Sequence, residues 1–401
     1  MISIDTIKNA AEIIKRQVIR TPLVHSPSLS RLFGANIFLK MENLQKTGSF
    51  KIRGATYKLL SLGPGHEISE IVAASAGNHA QGVALAAKNA GLLSTIVMPE
   101  WSSISKQEAT KGYGGKVVCF GQSIDESLVK ATELAVNDKL FIHPFDDPDI
   151  IAGQGTIGLE ILEDLNEVDM ILIPIGGGGL ISGIASAVKS VKPGIKIIGI
   201  QAAACPSARD SLKKGKPVRV VSKQSIADGI SVKQVGQHTF QIIKELVDDV
   251  FLVEEEDIAE AMLMLLEQKK ILAEGSGAVG LAALLNGSVR MSSKTNVVLL
   301  ISGGNVDSPL LGRILRKGLM KKGRVMRFEV ILEDTPGSLS RLLNLVALTK
   351  ANVLHIYHDR DLRDLAIYRT LVDLEIETRS LDHLDELAGA LRKAGYQLNM
   401  K

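Results

Sequence analysis

Apolar residues recur along this chain in two rhythms. In the first, short apolar runs bounded by turn residues alternate with Ala-rich segments of helical spacing: EIVAASAGNHAQGVALAAKNAG, STIVMP, SKQEATKGYGG and KVVCFG. Runs this short and this continuous predict parallel strands buried on both faces. A second series repeats the pattern as VDMILIPIGGGG, LISGIASAVKSVKPG, IKIIGIQ and, farther on, TNVVLLISGGN. Each series predicts a doubly wound α/β unit. Ligands in such units bind beyond the carboxyl ends of the strands, so the loops after Ser75, Ile175 and Leu300 are the places to search. The N-terminal stretch MISIDTIKNAAEIIKRQVIRTP predicts a capped amphipathic helix and lacks the apolar core and cleavage site of a signal peptide.

The second rhythm begins at Arg327, where the pattern reads strand, helix, strand, strand, helix, strand. RFEVILE alternates, and Leu339, Leu342, Leu343 and Val346 fall at helical spacing. In AIYRTLVDLEIET, Tyr368, Thr370, Val372, Leu374 and Ile376 share one face, opposite Arg369, Asp373, Glu375 and Glu377. One apolar and one charged face predict a ferredoxin-like sheet with helices on one side. Between the two regions, LGRILRKGLMKKGRVMR reads as a helix end plus connector. Its basic residues lack the aromatic interleaving of a nucleic-acid patch, which favours a solvated linker face.

Composition narrows this picture. At 401 residues the chain exceeds one ordinary core, so two or three packed units are expected. Aromatics are only 4% while glycines number 37, so the cores must be built from Ala, Val, Ile and Leu around tight turns. The net charge of +3 gives no reason to expect nucleic acid. Two cysteines, Cys119 and Cys205, form neither a disulfide framework nor a thiolate metal site. With no apolar stretch of membrane-spanning length, the expectation is a cytoplasmic protein.

Four segments carry candidate chemistry. In MENLQKTGSFKIRGA, Lys51 opens a helical run, and a desolvated lysine loses its proton near neutral pH and attacks carbonyl carbon. A surface lysine on an amphipathic helix has the same spacing. SAGNHAQG, Ser75 to Gly82, joins a strand to a helix, where backbone N–H groups and the helix dipole favour an anion. Asn78 there offers a donor and an acceptor, or caps its own helix. Gly176, Gly177, Gly178 and Gly179 lie between a strand and a helix, and without Cβ atoms they admit a phosphate to the backbone amides. A dinucleotide is disfavoured, because Ile181 or Ser182 occupies the last position of GxGxxG and Gln201 stands where a ribose-binding acid belongs. A formal GxGxxG at Gly275, Gly277 and Gly280 follows a helical stretch rather than a strand. Finally, Ser302 in SGGN ends a strand, where a hydroxyl bonds a heteroaromatic nitrogen without carrying charge; a simple turn serine is the alternative. His355 and His358 would face opposite sides of a strand, and Glu254–Asp257 reads as helix-start chemistry.

In this order and spacing, SFKIRGA, SAGNHAQG, FIHPFDDPDIIAGQGT, IGGGGL, AEGSGA and SGGN resemble the threonine/serine dehydratase family of tryptophan-synthase-β-like (fold type II) pyridoxal-phosphate enzymes, over roughly residues 5 to 320. The tail resembles an ACT domain through Asp334, Pro336, Gly337 and Leu339. The resemblance implies a catalytic region at 1–320, with a smaller lobe of about 50–145 inserted between 1–49 and 146–320, and a regulatory domain at 326–401. It implies that Lys51 holds pyridoxal 5'-phosphate and acts as the base at Cα, that Asn78 bonds the cofactor's 3′-oxygen, that Gly176 to Gly179 and Leu180 receive its phosphate, and that Ser302 faces the pyridine nitrogen, with Phe50 and Glu274 flanking the ring. Ser75, Ala76, Gly77, Asn78 and His79 would receive the substrate carboxylate, and Pro336, Gly337, Leu339 and Asn352 an amino acid effector.

The activity so implied is β-elimination of L-threonine to 2-oxobutanoate and ammonia, with L-serine as a secondary substrate. Isoleucine or valine would act as feedback from isoleucine biosynthesis, and an ACT pair implies an even-numbered homo-oligomer, a homodimer or homotetramer. Two departures matter. Serine racemases of this family carry a second serine where this chain has Ala76, so no racemisation is expected; and Gln201 replaces the acid of metal-binding members, so no metal site is expected. The competing readings are an L-serine ammonia-lyase and an inert amino acid sensor.

Overall fold

A computed structural model describes residues 1–361 and 365–401. Strands β1 (Leu23–His25) and β2 (Asn36–Met41) precede a run of four: β3 (Glu70–Ala74), β4 (Leu93–Met98), β5 (Lys116–Cys119) and β6 (Lys139–Phe141). Four more follow: β7 (Met170–Pro174), β8 (Lys196–Ala202), β9 (Asp249–Val253) and β10 (Asn296–Ile301). The last four are β11 (Val325–Glu333), β12 (Asn352–Asp359), β13 (Arg369–Glu377) and β14 (Leu398–Met400).

The chain divides into two compact units, Met1–Asp307 and Ser308–Lys401. The first holds two sheets. The larger runs β1-β2-β10-β7-β8-β9 and is parallel except for the antiparallel β1 on β2; the smaller runs β5-β4-β3-β6 and is parallel throughout. These are the two doubly wound units expected. Every residue of MILIP is buried in β7, as a central parallel strand covered on both faces requires. The larger lobe packs Ile171, Ile173, Ile181, Ile184 and Val298 into one core, and the smaller packs Ile52, Ile71, Val83 and Ile96 into another.

Glycines let the helices joining the lobes approach closely. A Cβ on Gly153 of helix Pro148–Asp164 would lie 2.6 Å from the Gly54 Cα in helix Lys51–Leu60. Two residues on, a Cβ on Gly155 would lie 2.9 Å from the Gly183 carbonyl in helix Gly179–Val191. A buried charge cluster fixes the same junction. Arg53 donates to both carboxylate oxygens of Glu42, each at 2.8 Å, and to Glu160 at 2.7 Å, while Lys40 donates to Glu160 at 2.6 Å.

The second unit has the expected strand–helix–strand–strand–helix–strand order, antiparallel as β12-β13-β11-β14, with Phe328, Val330, Leu342, Leu374 and Leu387 in its core. Two expectations about it need correcting. The basic segment forms a complete helix, Ser308–Lys321, whose Arg316 pairs with Glu375 and so buries that carboxylate, and β11 begins already at Val325. Tyr368 lies outside β13 and is exposed, because the inward face starts only at Thr370. Among the described residues, no helix is long and apolar enough to cross a membrane.

Candidate active site

The loops after β3, β7 and β10 converge between the two lobes, and helix Lys51–Leu60 begins there. Its lead-in is held from the large lobe: the Phe50 N–H donates to the Ser302 carbonyl at 3.1 Å, and Ser49 forms an isolated bridge with Gly303. Gly48, at φ +70°, allows the turn that delivers Lys51, and a Cβ there would collide with Asn305. The Lys51 Nζ donates to the Pro144 carbonyl at 3.0 Å and lies 5.2 Å from the centroid of the Phe50 ring. Burial pushes its ammonium down to about 8, against the opposing pull of the Glu274 carboxylate.

Glu274 is buried at the start of helix Gly275–Leu285. Burial, followed by the nearby charge of Asp228, pushes its carboxyl up to about 7, while the hydrogen bond from Asn78 and the charges of Lys106 and Lys51 act the other way. Lys51 and Glu274 are thus an acid–base pair whose members are brought towards each other and towards neutral pH. His79 is also buried; burial, then the Lys51 charge, hold its imidazole at about 3, so it stays neutral and its Nε2 donates to the Ile142 carbonyl at 3.3 Å. His143 is held below the usual imidazole range by burial, and its Nδ1 accepts from the Asp146 N–H at 2.8 Å.

The asparagine loop runs from β3 into helix Asn78–Asn89. Gly82 on that helix lets it close on Lys51–Leu60, since a Cβ there would sit 3.1 Å from the Ile52 nitrogen. Asn78 is engaged on both sides of its amide, donating to Glu274 at 2.7 Å and accepting from Asn305 at 2.7 Å. Of the backbone donors assigned to a carboxylate, Ser75 N–H is already bound to the Val97 carbonyl at 3.1 Å, and Gly77 N–H to the Ser75 hydroxyl at 3.1 Å. Asn78 and His79, in the first helical turn, have no acceptor within their own helix.

The glycine run leaves β7 and enters helix Gly179–Val191, with Gly178 at φ +100°. Its surroundings leave no room for side chains. A Cβ on Gly177 would enter the Phe145 ring, one on Gly176 would meet the Ile230 Cα at 3.0 Å, and one on Gly179 the Phe145 carbonyl at 2.8 Å. The Thr239 hydroxyl secures the loop through the Gly177 carbonyl at 2.7 Å. The Leu180 side chain packs in the large-lobe core, with its N–H in the first turn of the helix.

Lys51, Phe50, Asn78, Glu274 and Ser302 therefore meet through direct contacts or charge coupling, and the glycine run reaches them through Phe145, the neighbour of Pro144. Several neighbours carried no signal of their own in the sequence. Pro144, Phe145, Asn305, Asp228 and Lys106 act by contacts across long stretches of chain; only Asn305, within SGGN, and the first two, within FIHPFDDP, lay in motifs singled out. Gln201 is fully used in capping helix Ser207–Lys214, accepting from Ala208 and Arg209 N–H groups at 3.0 Å each.

In the second unit, Pro336, Gly337 and Leu339 line a cavity of about 410 Å³ together with His358, Arg360 and Thr370. Asn352 does not line it; its side chain donates to Glu377 at 3.4 Å.

Comparison with known proteins places this geometry in context. Residues 14–303 match the family described as "Pyridoxal-phosphate dependent enzyme". The chain is 47% identical over 403 residues to an L-threonine ammonia-lyase of Thermotoga maritima, covering 100% of both chains. It is 46% identical over 323 residues to a catabolic L-threonine dehydratase of Staphylococcus aureus, covering 80% of this chain and 93% of that one. Among solved structures, the processed form of threonine deaminase isoform 2 from Solanum lycopersicum superposes with a TM-score of 0.72 at 35% identity, covering 78% of this chain and 88% of the other.

Proposed function

Because the chain belongs to the pyridoxal-phosphate-dependent enzymes, we propose that it deaminates L-threonine by β-elimination, releasing 2-oxobutanoate and ammonia, with L-serine as a secondary substrate. The observation that carries this reading is the Lys51 amine, held near neutrality beside Glu274 where three strand-end loops meet.

The residues present fit the cofactor. An aldehyde with a phosphate arm needs an unprotonated amine, an anion cradle and a partner for its ring nitrogen. Lys51 supplies the first, the run Gly176 to Gly179 at a helix N-terminus the second, and Ser302 at the end of β10 the third. The hydroxyls of Ser49 and Ser276, buried near Gly303 and Gly229, have no hydrogen-bond partner among the described residues, as donors reserved for a bound group would. When bound, pyridoxal phosphate supplies the electron sink for the pair left at Cα of the substrate.

The protein's part is then positional and protonic. The Lys51 Nζ takes the Cα proton, a task suited to an amine poised near pH 8. The N–H groups opening helix Asn78–Asn89 bind the substrate carboxylate. Asn78, fixed between Glu274 and Asn305, retains one N–H for the cofactor's 3′-oxygen. Ser302 carries no charge, so it would hold the ring nitrogen through a neutral hydrogen bond and stabilise its protonated form less than a carboxylate would, and the β-hydroxyl would leave as water once protonated. Ala76 has no proton to exchange, so serine left after partial turnover should stay in the L form on chiral analysis.

The test follows 2-oxo acid formation from threonine and serine in parallel, with absorbance of the cofactor-loaded protein. Lys51→Ala is expected to abolish turnover and the absorbance band together. A wild type that stays colourless with pyridoxal phosphate and forms no 2-oxo acid overturns the reading in favour of an amino acid sensor. Turnover of serine well above that of threonine would make it a serine ammonia-lyase.

The C-terminal unit supports a regulatory reading as an ACT domain. Its cavity joins the Gly337 turn to Arg360, which pairs with Asp334 at 3.0 Å, and to His358, whose Nε2 is buried without a partner among the described residues. A small amino acid such as isoleucine or valine has the carboxylate and size for it. Titrating both against threonine turnover tests this, and the even-numbered homo-oligomer is tested by sedimentation; no response to either amino acid removes the regulatory role.

A further inference from the structure

Beside the candidate site, charged contacts join the two lobes, and no role above uses that bridging. Lys106 lies on helix Ile104–Gly112 of the small lobe, which packs on helix Asn78–Asn89 and on β5. Its Nζ reaches across to the large lobe, 2.8 Å from Asp228 and 3.6 Å from Asp307. The hydroxyls of Ser103 and Ser105, at the start of the same helix, both donate to the other Asp307 oxygen at 3.2 Å.

Both carboxylates belong to segments that carry the site. Asp228 precedes Gly229, where a Cβ would stand 3.6 Å from the Glu274 carboxylate. Asp307 lies two residues beyond Asn305, which holds Asn78. One small-lobe cation therefore grips both large-lobe segments that fix Glu274 and Asn78. A second grip lies alongside it. Asp125, on helix Ile124–Leu134 of the small lobe, pairs with Arg219 and, at 3.3 Å, with Lys233, which flank the Asp228 segment.

The two grips differ in strength. Asp125, Arg219 and Lys233 side chains are 48%, 53% and 41% exposed, so that pair is screened by water and salt and contributes little. The Lys106 side chain is only 16% exposed and Asp307 33%, while Asp228 at 61% is open to solvent, so the grip on Asp307 is the better shielded of the two Lys106 contacts. The Lys106 charge is far less screened, and its loss would leave Asp228 and Asp307 without their shared cation.

We propose that Lys106 is a positioning residue that clasps the small lobe onto the Asp228 and Asp307 segments and so holds the substrate-competent, closed arrangement of the site. The clasp acts on the population of the closed form, separately from the pull that the Lys106 charge exerts on the Glu274 carboxyl. A contact made only in that form raises apparent affinity in proportion to the closed fraction; saturating substrate completes closure without it. Affinity should therefore fall when the clasp is cut, and turnover at saturation should not.

The inference rests on the threonine reading for its kinetic arm and on hydrogen–deuterium exchange for an arm that needs no activity. In the cofactor-loaded full chain, Lys106→Met is expected to raise the threonine KM by roughly tenfold. The amides of helix Ile104–Gly112 and of residues 225–233 should exchange faster than in wild type. Lys106→Arg, which keeps the charge, should restore most of the KM and the protection. Asp307→Asn, which leaves the Lys106 charge beside Glu274, should raise KM by about threefold with kcat within about twofold, and it reads the same exchange should Lys106→Met fail to fold. An unchanged KM with unchanged exchange overturns the clasp, as does a fall in kcat at constant KM or a failure of Lys106→Arg to rescue. A wild type without threonine turnover refutes the functional reading instead and leaves exchange to judge the clasp.

Discussion

Only the neutral form of a lysine attacks an aldehyde carbon, and at Lys51 burial brings that form within reach of ordinary pH. Capture of pyridoxal phosphate by the cofactor-free protein should therefore speed up about tenfold per pH unit below about 8 and level off above it. The Glu274 anion favours the ammonium, so Glu274→Gln should shift this inflection downward; stopped-flow absorbance across the pH range measures both, and an upward shift would contradict the pairing. At this scale the sequence was legible wherever chemistry sits inside a contiguous motif. Lys51, Asn78 and Ser302 drew notice because each stands at a strand end or helix start within a short motif, whereas Glu274 entered only through the family resemblance. Asp228 and Lys106 drew no notice, since a carboxylate and a helix-surface ammonium gain meaning only when 122 positions of chain fold them to within 2.8 Å. Asn352 shows the converse: it opens β12, and its side chain turns to Glu377 on β13 rather than to the cavity.

Among elements, helix Lys51–Leu60 is set by what its neighbours lack. Gly153→Ala would press a methyl onto the Gly54 backbone, with no flexible side chain to yield, and should cost about 1–3 kcal/mol in denaturant unfolding. Arg53→Met would leave Glu42 buried without the two hydrogen bonds from Arg53, keeping only that from the Thr21 hydroxyl. A loss of about 3–5 kcal/mol is expected on the same assay, because an unpaired buried charge is worse than no charge. Strands could be read from the chain because parallel burial writes itself as unbroken apolar runs. Helix Ser308–Lys321 was harder. Only Ile314 on it is buried, so its Lys- and Arg-rich faces resemble a solvated connector, and the Arg316–Glu375 pair that anchors it joins residues far apart in sequence.

For the whole molecule, the division at Asp307 and Ser308 falls ahead of the expected boundary at 320 because that helix packs with the C-terminal sheet. A chain ended after Asp307 should keep threonine turnover and lose any response to isoleucine or valine, as steady-state kinetics of the two forms will tell. Fold class was legible at this level, since two α/β series and one alternating tail differ in period.

Helix Pro148–Asp164 carries a final consequence. It meets one neighbour at Gly153 and another at Gly155, so it works like a key cut for two locks at once. Inserting a single residue between those glycines would turn everything beyond by about 100° and leave one lock facing a bulky tooth. Lineages of this enzyme should therefore vary in the length of their surface loops but not in the length of this rod.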